Sequence, residues 1–122
     1  MSFELIELGI MLVHYRSTDD MLPHAQTALI AAIEQSCRRG TTALVFDVTG
    51  AVSVPLTVPQ LWLEVTQRLA PALARIAIAS PSVLVRVAAE GFAVSNTLRR
   101  VPMSVKSFKS IDEATVWARG AQ

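Results

Sequence analysis

Residues 42–57, TALVFDVTGAVSVPLT, hold the decisive contrast of this chain, an apolar run that breaks into a polar loop. Thr42 to Val48 has too little polar alternation to leave one face wet, so it reads as an interior strand covered on both sides. The run ends in an acid, a hydroxyl and a glycine (Asp47, Thr49 and Gly50), then passes Ser53 and Pro55. Val58 to Leu69 reads as a helix: Thr57 fits its cap, Pro59 suits an early position where a missing amide costs nothing, and Leu61, Val65 and Leu69 share one face. Pro71 stops it. Asp47 with its hydroxyl neighbours is therefore either a working site or a strand-end acceptor that closes one element before the next begins.

Upstream, Phe3 to Arg16 is suited to one strand or to a hairpin bent around Gly9, with its second half extended. Asp19 and Asp20 are expected to cap a following helix, on which Leu22, Ala25, Leu29, Ile33 and Cys37 recur at helical spacing. Arg38 and Arg39 favour its C-terminal end, and Gly40 can adopt the positive φ that closes it. Downstream, Arg75 to Ala79 is a short buried strand, RIAIA. Ser80 and Pro81 give the start signal for a helix over Val83 to Leu98, where Gly91 asks for close packing or a break. Met103 to Phe108 is a last strand, Ser110 and Glu113 form a capping box, and Ala114, Trp117 and Ala118 stripe a short final helix. Strand and helix thus alternate four times, with an extra strand admissible at the start, which favours a largely parallel sheet.

The 122 residues suit a single domain over residues 1–120, with a loose tail at Ala121 and Gln122. One cysteine, Cys37, excludes an intramolecular disulfide. Eleven basic and ten acidic side chains balance to about +1, so bulk charge points to neither nucleic acid nor a membrane surface. Arg99, Arg100, Lys106 and Lys109 cluster in sequence, but only Phe108 among them could stack on a base, so they read as a solvated face. Glu4 and Glu7 interrupt the start, arguing against a signal peptide, and no apolar run is long enough for membrane insertion; the expected location is the cytoplasm.

Catalytic signatures are missing from the sequence. His14, His24, Asp19, Asp20 and Cys37 match neither a zinc ribbon nor a helix-borne metal pair, so the histidines are expected to be structural or solvent-facing and no metal or cofactor is predicted. The DVTG turn lacks the lysine and spaced glycines of a phosphate loop, and tight turn geometry accounts for Gly50. Neither SPS at 80–82 nor SVK at 104–106 carries the surroundings of a serine nucleophile. No residue is assigned a catalytic role.

The alternating pattern and the segment VFDVTG resemble the STAS family, the small domains of bacterial anti-sigma-factor antagonists, stressosome subunits and SpoIIAA-like proteins. The resemblance covers most of the chain, including the late run IASPSVLVRVAAEGFAVSNTLRRVPMSVKSFKSIDEATVWA. It implies a STAS-like (SpoIIAA-like) α/β fold, with a mixed or mostly parallel sheet of four to five strands packed against about four helices. It also implies a non-catalytic protein-binding or switching role for the loop after VFDV. Asp47, Val48, Thr49 and Gly50 follow the family's acid, small residue, hydroxyl and glycine. The acid and serine that the regulatory branch places at the next helix start fall on Pro55 and Leu56, leaving Thr57 as the nearby hydroxyl. Thr57 is either a helix cap or a phosphorylation site, since a helix N-terminus favours phosphate.

Two functions compete. The first is a protein-interaction module, regulatory or homodimeric, acting through Asp47, Thr49, Gly50, Ser53, Leu56, Thr57, Leu61 and Trp62, with Trp62 either the aromatic anchor or a core residue. The second is a small apolar ligand held between the sheet and Leu56, Leu61, Trp62, Phe92 and Val94. A binder of small molecules should show a concavity beside residues 50–62; an interaction module should show a filled core and a flat apolar patch.

Overall fold

The computed structural model describes residues 2–51 and 54–121. In chain order the elements are β1 (Ser2–Glu7), β2 (Ile10–His14), α1 (Pro23–Arg38), β3 (Ala43–Asp47), α2 (Thr57–Leu69), β4 (Arg75–Ala79), α3 (Val83–Leu98), β5 (Ser104–Phe108) and α4 (Ile111–Ala118). Short 3-10 turns, Thr18–Met21 and Arg119–Ala121, precede α1 and follow α4.

The strands form one five-stranded sheet in the order of the chain, β1-β2-β3-β4-β5. The first pair is antiparallel and the other three pairs are parallel. The initial segment is thus a hairpin, turned through Gly9 at φ +83°. Each parallel step adds the next strand in the same direction, so crossovers of one hand leave α1, α2 and α3 on the same side. That side is packed by the bulky alternate residues of the strands, Met11, Val13, Leu44, Phe46 and Ile76, against Leu29, Ile33, Trp62, Val65, Leu69, Val85 and Phe92.

The opposite parity faces α4. Ile10, Leu12, Ala43, Val45, Ala77 and Ala79 meet Ala114 and Ala118, and the small side chains on both partners let one short helix lie close to the sheet. Arg75 secures it: Nη1 donates to the Trp117 carbonyl at 2.5 Å while the guanidinium carbon lies 4.8 Å from the centre of the Trp117 ring. Beyond α4, Arg119 is paired with Glu7 through both carboxylate oxygens, which holds the Glu7 carboxyl below its ordinary range. With both faces of β3 covered, all of its five residues are buried, as the unbroken apolar run requires.

Several local expectations change. Thr57 does not cap α2: Leu56 already has helical angles (φ −60°, ψ −24°), so Thr57 is the first residue inside the helix, and no side-chain cap bond forms. Asp19 and Asp20 lie in the 3-10 turn, where the Asp20 carboxylate accepts from the Arg16 amide at 2.7 Å; α1 instead begins at Pro23 after Leu22. The α3 cap is Ser82, whose hydroxyl accepts from Val85 N, because Ser80 is buried against the strand ends and receives the Ser82 amide. Gly40 closes α1 with φ +106°, as expected. Gly91 does not mark close packing or a break, for α3 runs through it and a Cβ there would meet nothing within 4 Å.

Candidate functional site

Two groups of residues gather where the parallel strands end, one on each face of the sheet. On the α4 side, the register sets His14 beside Asp47 as the last residues of β2 and β3. His14 Nδ1 lies 2.7 Å from Asp47 Oδ2, while Oδ1 accepts from the Thr49 amide at 3.1 Å and the Thr49 hydroxyl at 2.7 Å. The carboxylate is nearly buried and the imidazole is one-third exposed. Asp47 is therefore both the end of a strand and the centre of a small polar chain. The sequence sets Thr49 two positions from Asp47 but gives no sign of His14, because a link across 33 positions is visible only once β2 and β3 are in register.

Gly50 belongs to the same turn for a reason other than turn geometry. A side chain there would overlap the Arg16 carbonyl and come within 2.9 Å of the Tyr15 carbonyl. The chain leaving β2 crosses directly against the turn leaving β3, and only glycine admits that approach.

On the other face, Tyr15, Phe46, Val48, Val54, Val58, Trp62, Val85, Ala89 and Phe92 line a partly open cavity of about 80 Å³ between the sheet, α2 and α3. The small residues Ala88 and Ala89 leave that space on the α3 side. Phe46 forms its sheet-side wall, stacked on Tyr15 (5.7 Å, 18°) and edge-on to Trp62 (5.4 Å, 82°). The polar tips of this wall are turned away from use: Tyr15 Oη (3.1 Å) and Trp62 Nε1 (3.0 Å) both donate to Gln26 Oε1. Gln26, only 1% exposed, returns its own amide to the Asp20 carbonyl at 2.9 Å. Burial pushes the Tyr15 phenol well above its usual range, so it stays neutral against the cavity.

The expected site residues are consequently divided. Asp47, Thr49 and Gly50 form the polar turn; Ser53 lies outside the described residues. Trp62 is 5% exposed and hydrogen-bonded inside the core, which excludes it as a surface anchor and makes it a cavity wall. Phe92 joins it there, while Leu61 packs partly buried against the core. Leu56 (78% exposed) and Val94 (58%) point to solvent and line nothing, and Thr57 is exposed on the first turn of α2. The anchoring role of Gln26 escaped the sequence reading, since an isolated glutamine at a helical core position gives no sign of its two aromatic partners.

Cys37 is half-buried, and burial raises its thiol pKa. Among the described residues no three histidines, cysteines or acids gather as a metal site, and no helix is long and apolar enough to cross a membrane.

No family model matches the chain, and no curated protein matches it significantly. A solved structure does: an uncharacterised DUF3478-family protein with a SpoIIAA-like fold from Shewanella loihica PV-4, at TM-score 0.58 and 17% identity. The match covers 96% of this chain and 90% of the other. At that identity the likeness speaks for architecture alone, and it agrees with the mixed five-stranded sheet and its helices. The chain has a SpoIIAA-like fold.

Proposed function

We propose that this chain is a non-catalytic binding module that holds a small apolar molecule between α2, α3 and the ends of β3 and β4. The observation that carries the reading is the cavity beside Val54, Val58 and Trp62, where a pure interaction module would have a filled core. Its volume of about 80 Å³ is several times the roughly 10–15 Å³ that one water needs. Water gains little there, because the wall's hydroxyl and indole already share Gln26 and the remaining lining is apolar. Such space favours an apolar occupant over solvent.

The test is titration with an environment-sensitive apolar dye, followed by Ala89→Phe, which fills the space from α3. Saturable binding to the parent protein and its loss in the variant support the reading; unsaturable binding, or binding indifferent to the filled cavity, overturns it.

A second reading, a protein-interaction module, draws on a different observation. Leu56, Val83, Leu84 and Val87 are large apolar residues left exposed at the starts of α2 and α3. A protein partner or a second copy of the chain would cover such side chains, and Thr57 beside Leu56 is where a phosphate would alter that contact. Native mass spectrometry of protein purified from its own cells separates the readings, since it reports retained ligand, retained partner, phosphorylation and oligomer mass together.

A further inference from the structure

The face of α3 turned away from the cavity carries a second apolar surface. Leu84 (67% exposed), Val87 (59%), Val94 (58%) and Leu98 (78%) lie along it, with Gly91 exposed between them. Their steps of three and four residues in alternation are those by which one helix presents a seam to another. Val85, Ala89 and Phe92 occupy the opposite face and are buried, so the stripe takes no part in the chain's own core. Exposed Glu90 and Thr97 give it a polar rim. The stripe is also symmetric about Gly91: a valine stands one turn away on either side, and a leucine two turns away on either side. Nothing in its own chain asks for that glycine, since a Cβ would meet nothing within 4 Å and alanine is the better helix former.

We propose that a second copy of the chain covers this stripe, the two α3 helices packing antiparallel about a two-fold axis beside Gly91. Such an axis sets each residue against the one equally far beyond Gly91 in the other copy. Leu84 then meets Leu98 of the partner subunit, Val87 packs beside the partner's Val94, and the two glycines let the backbones approach closely. An unrelated partner or a parallel pair would ask for no such mirror spacing. Covering the four side chains on both copies removes on the order of 500 Å² of apolar surface from water. With the usual polar share of an interface the total is roughly 900 Å², short of the roughly 1,200–2,000 Å² of stable complexes, so the dimer is a reversible one. This rests on the protein-interaction reading above and names its partner; the cavity, on the opposite face of α3, stays accessible to a ligand.

Sedimentation equilibrium from micromolar to millimolar protein is expected to show the mass of the parent rising from one chain to two. Leu84→Glu and Leu98→Lys should each raise the dissociation constant at least about tenfold, because the symmetry repeats each change at both ends of the contact. An equal mixture of the two variants should recover the dimer: the two-fold sets the introduced acid against the introduced base at one end and Leu98 against Leu84 at the other. A parent that stays monomeric, or a dimer that neither substitution weakens, overturns self-pairing through α3, and a mixture that stays monomeric overturns the antiparallel arrangement. A monomeric parent that floats with phosphatidylcholine vesicles assigns the stripe to a bilayer and equally overturns the second copy. A monomeric parent that retains a different protein in native mass spectrometry overturns the second copy and leaves the interaction reading standing; one that retains nothing overturns both. Circular dichroism checks that each variant keeps its helices, and should Leu84→Glu unfold, Val87→Glu with Val94→Lys repeats the comparison one turn nearer the axis.

Discussion

His14 Nδ1 and Asp47 Oδ2 lie 2.7 Å apart, joining the ends of two parallel strands whose residues are 33 positions apart in the chain. The other carboxylate oxygen holds the Thr49 turn, so Asp47 ties β2, β3 and the loop toward α2 in one place. Asp47→Ala strands the donors of His14 and Thr49 and is expected to lower stability by about 2 kcal/mol, with His14→Ala nearer about 1 kcal/mol. Urea denaturation measures both, and the double variant should fall short of their sum, because the residues share one contact.

Two glycines should respond in opposite directions. Gly50→Ala forces a Cβ into the backbone carbonyls of Tyr15 and Arg16 and should cost at least about 2 kcal/mol. Gly91→Ala enters open space on α3 and should stabilise the protein by about 0.5–1 kcal/mol. Thermal denaturation of the two variants side by side checks the contrast.

Gln26 holds the cavity wall in place. Gln26→Leu leaves Tyr15 Oη and Trp62 Nε1 buried without their acceptor, and the expected loss is about 2–4 kcal/mol. A change in the emission of Trp62 should accompany it, read against a Trp117→Phe background so that one indole reports.

Stability should fall in alkali because of Tyr15. Burial raises the phenol's pKa in the folded protein, while the unfolded chain ionises near about 10. The folded state therefore keeps its proton where the unfolded state loses one, so the contribution is complete below about pH 10 and is lost as pH rises toward the folded value. Urea midpoints measured from pH 8 to 11 should decline at the upper end, and Tyr15→Phe should flatten that decline.

Thr57→Glu adds a negative charge at the first residue of α2, an exposed position where the helix dipole favours it. Folding stability should change by less than about 0.5 kcal/mol. If the protein-interaction reading holds, affinity for a partner retained in native mass spectrometry should drop; unchanged affinity removes Thr57 from that surface.

The α/β alternation was legible because each element advertises itself locally. RIAIA is β4 residue for residue, Val83 to Leu98 is α3, and Ser110 caps α4 through the Glu113 amide. Caps were less legible where tertiary packing intervened. Ser80 carries a good capping hydroxyl, but the strand ends bury it and Ser82 takes the role; Thr57 loses its role because the chain enters α2 already helical.

By itself the sequence determined the order of strands and helices, the interior position of β3 and the hydroxyl and glycine that close it, since periodicity, turn chemistry and unbroken apolar runs are local properties. Only the tertiary structure decided that His14 completes Asp47, that Trp62 faces a cavity rather than a partner, and that Gln26 accepts from both Tyr15 and Trp62. Each of these depends on strand register or on the gap between two helices, relations set by packing between distant parts of the chain.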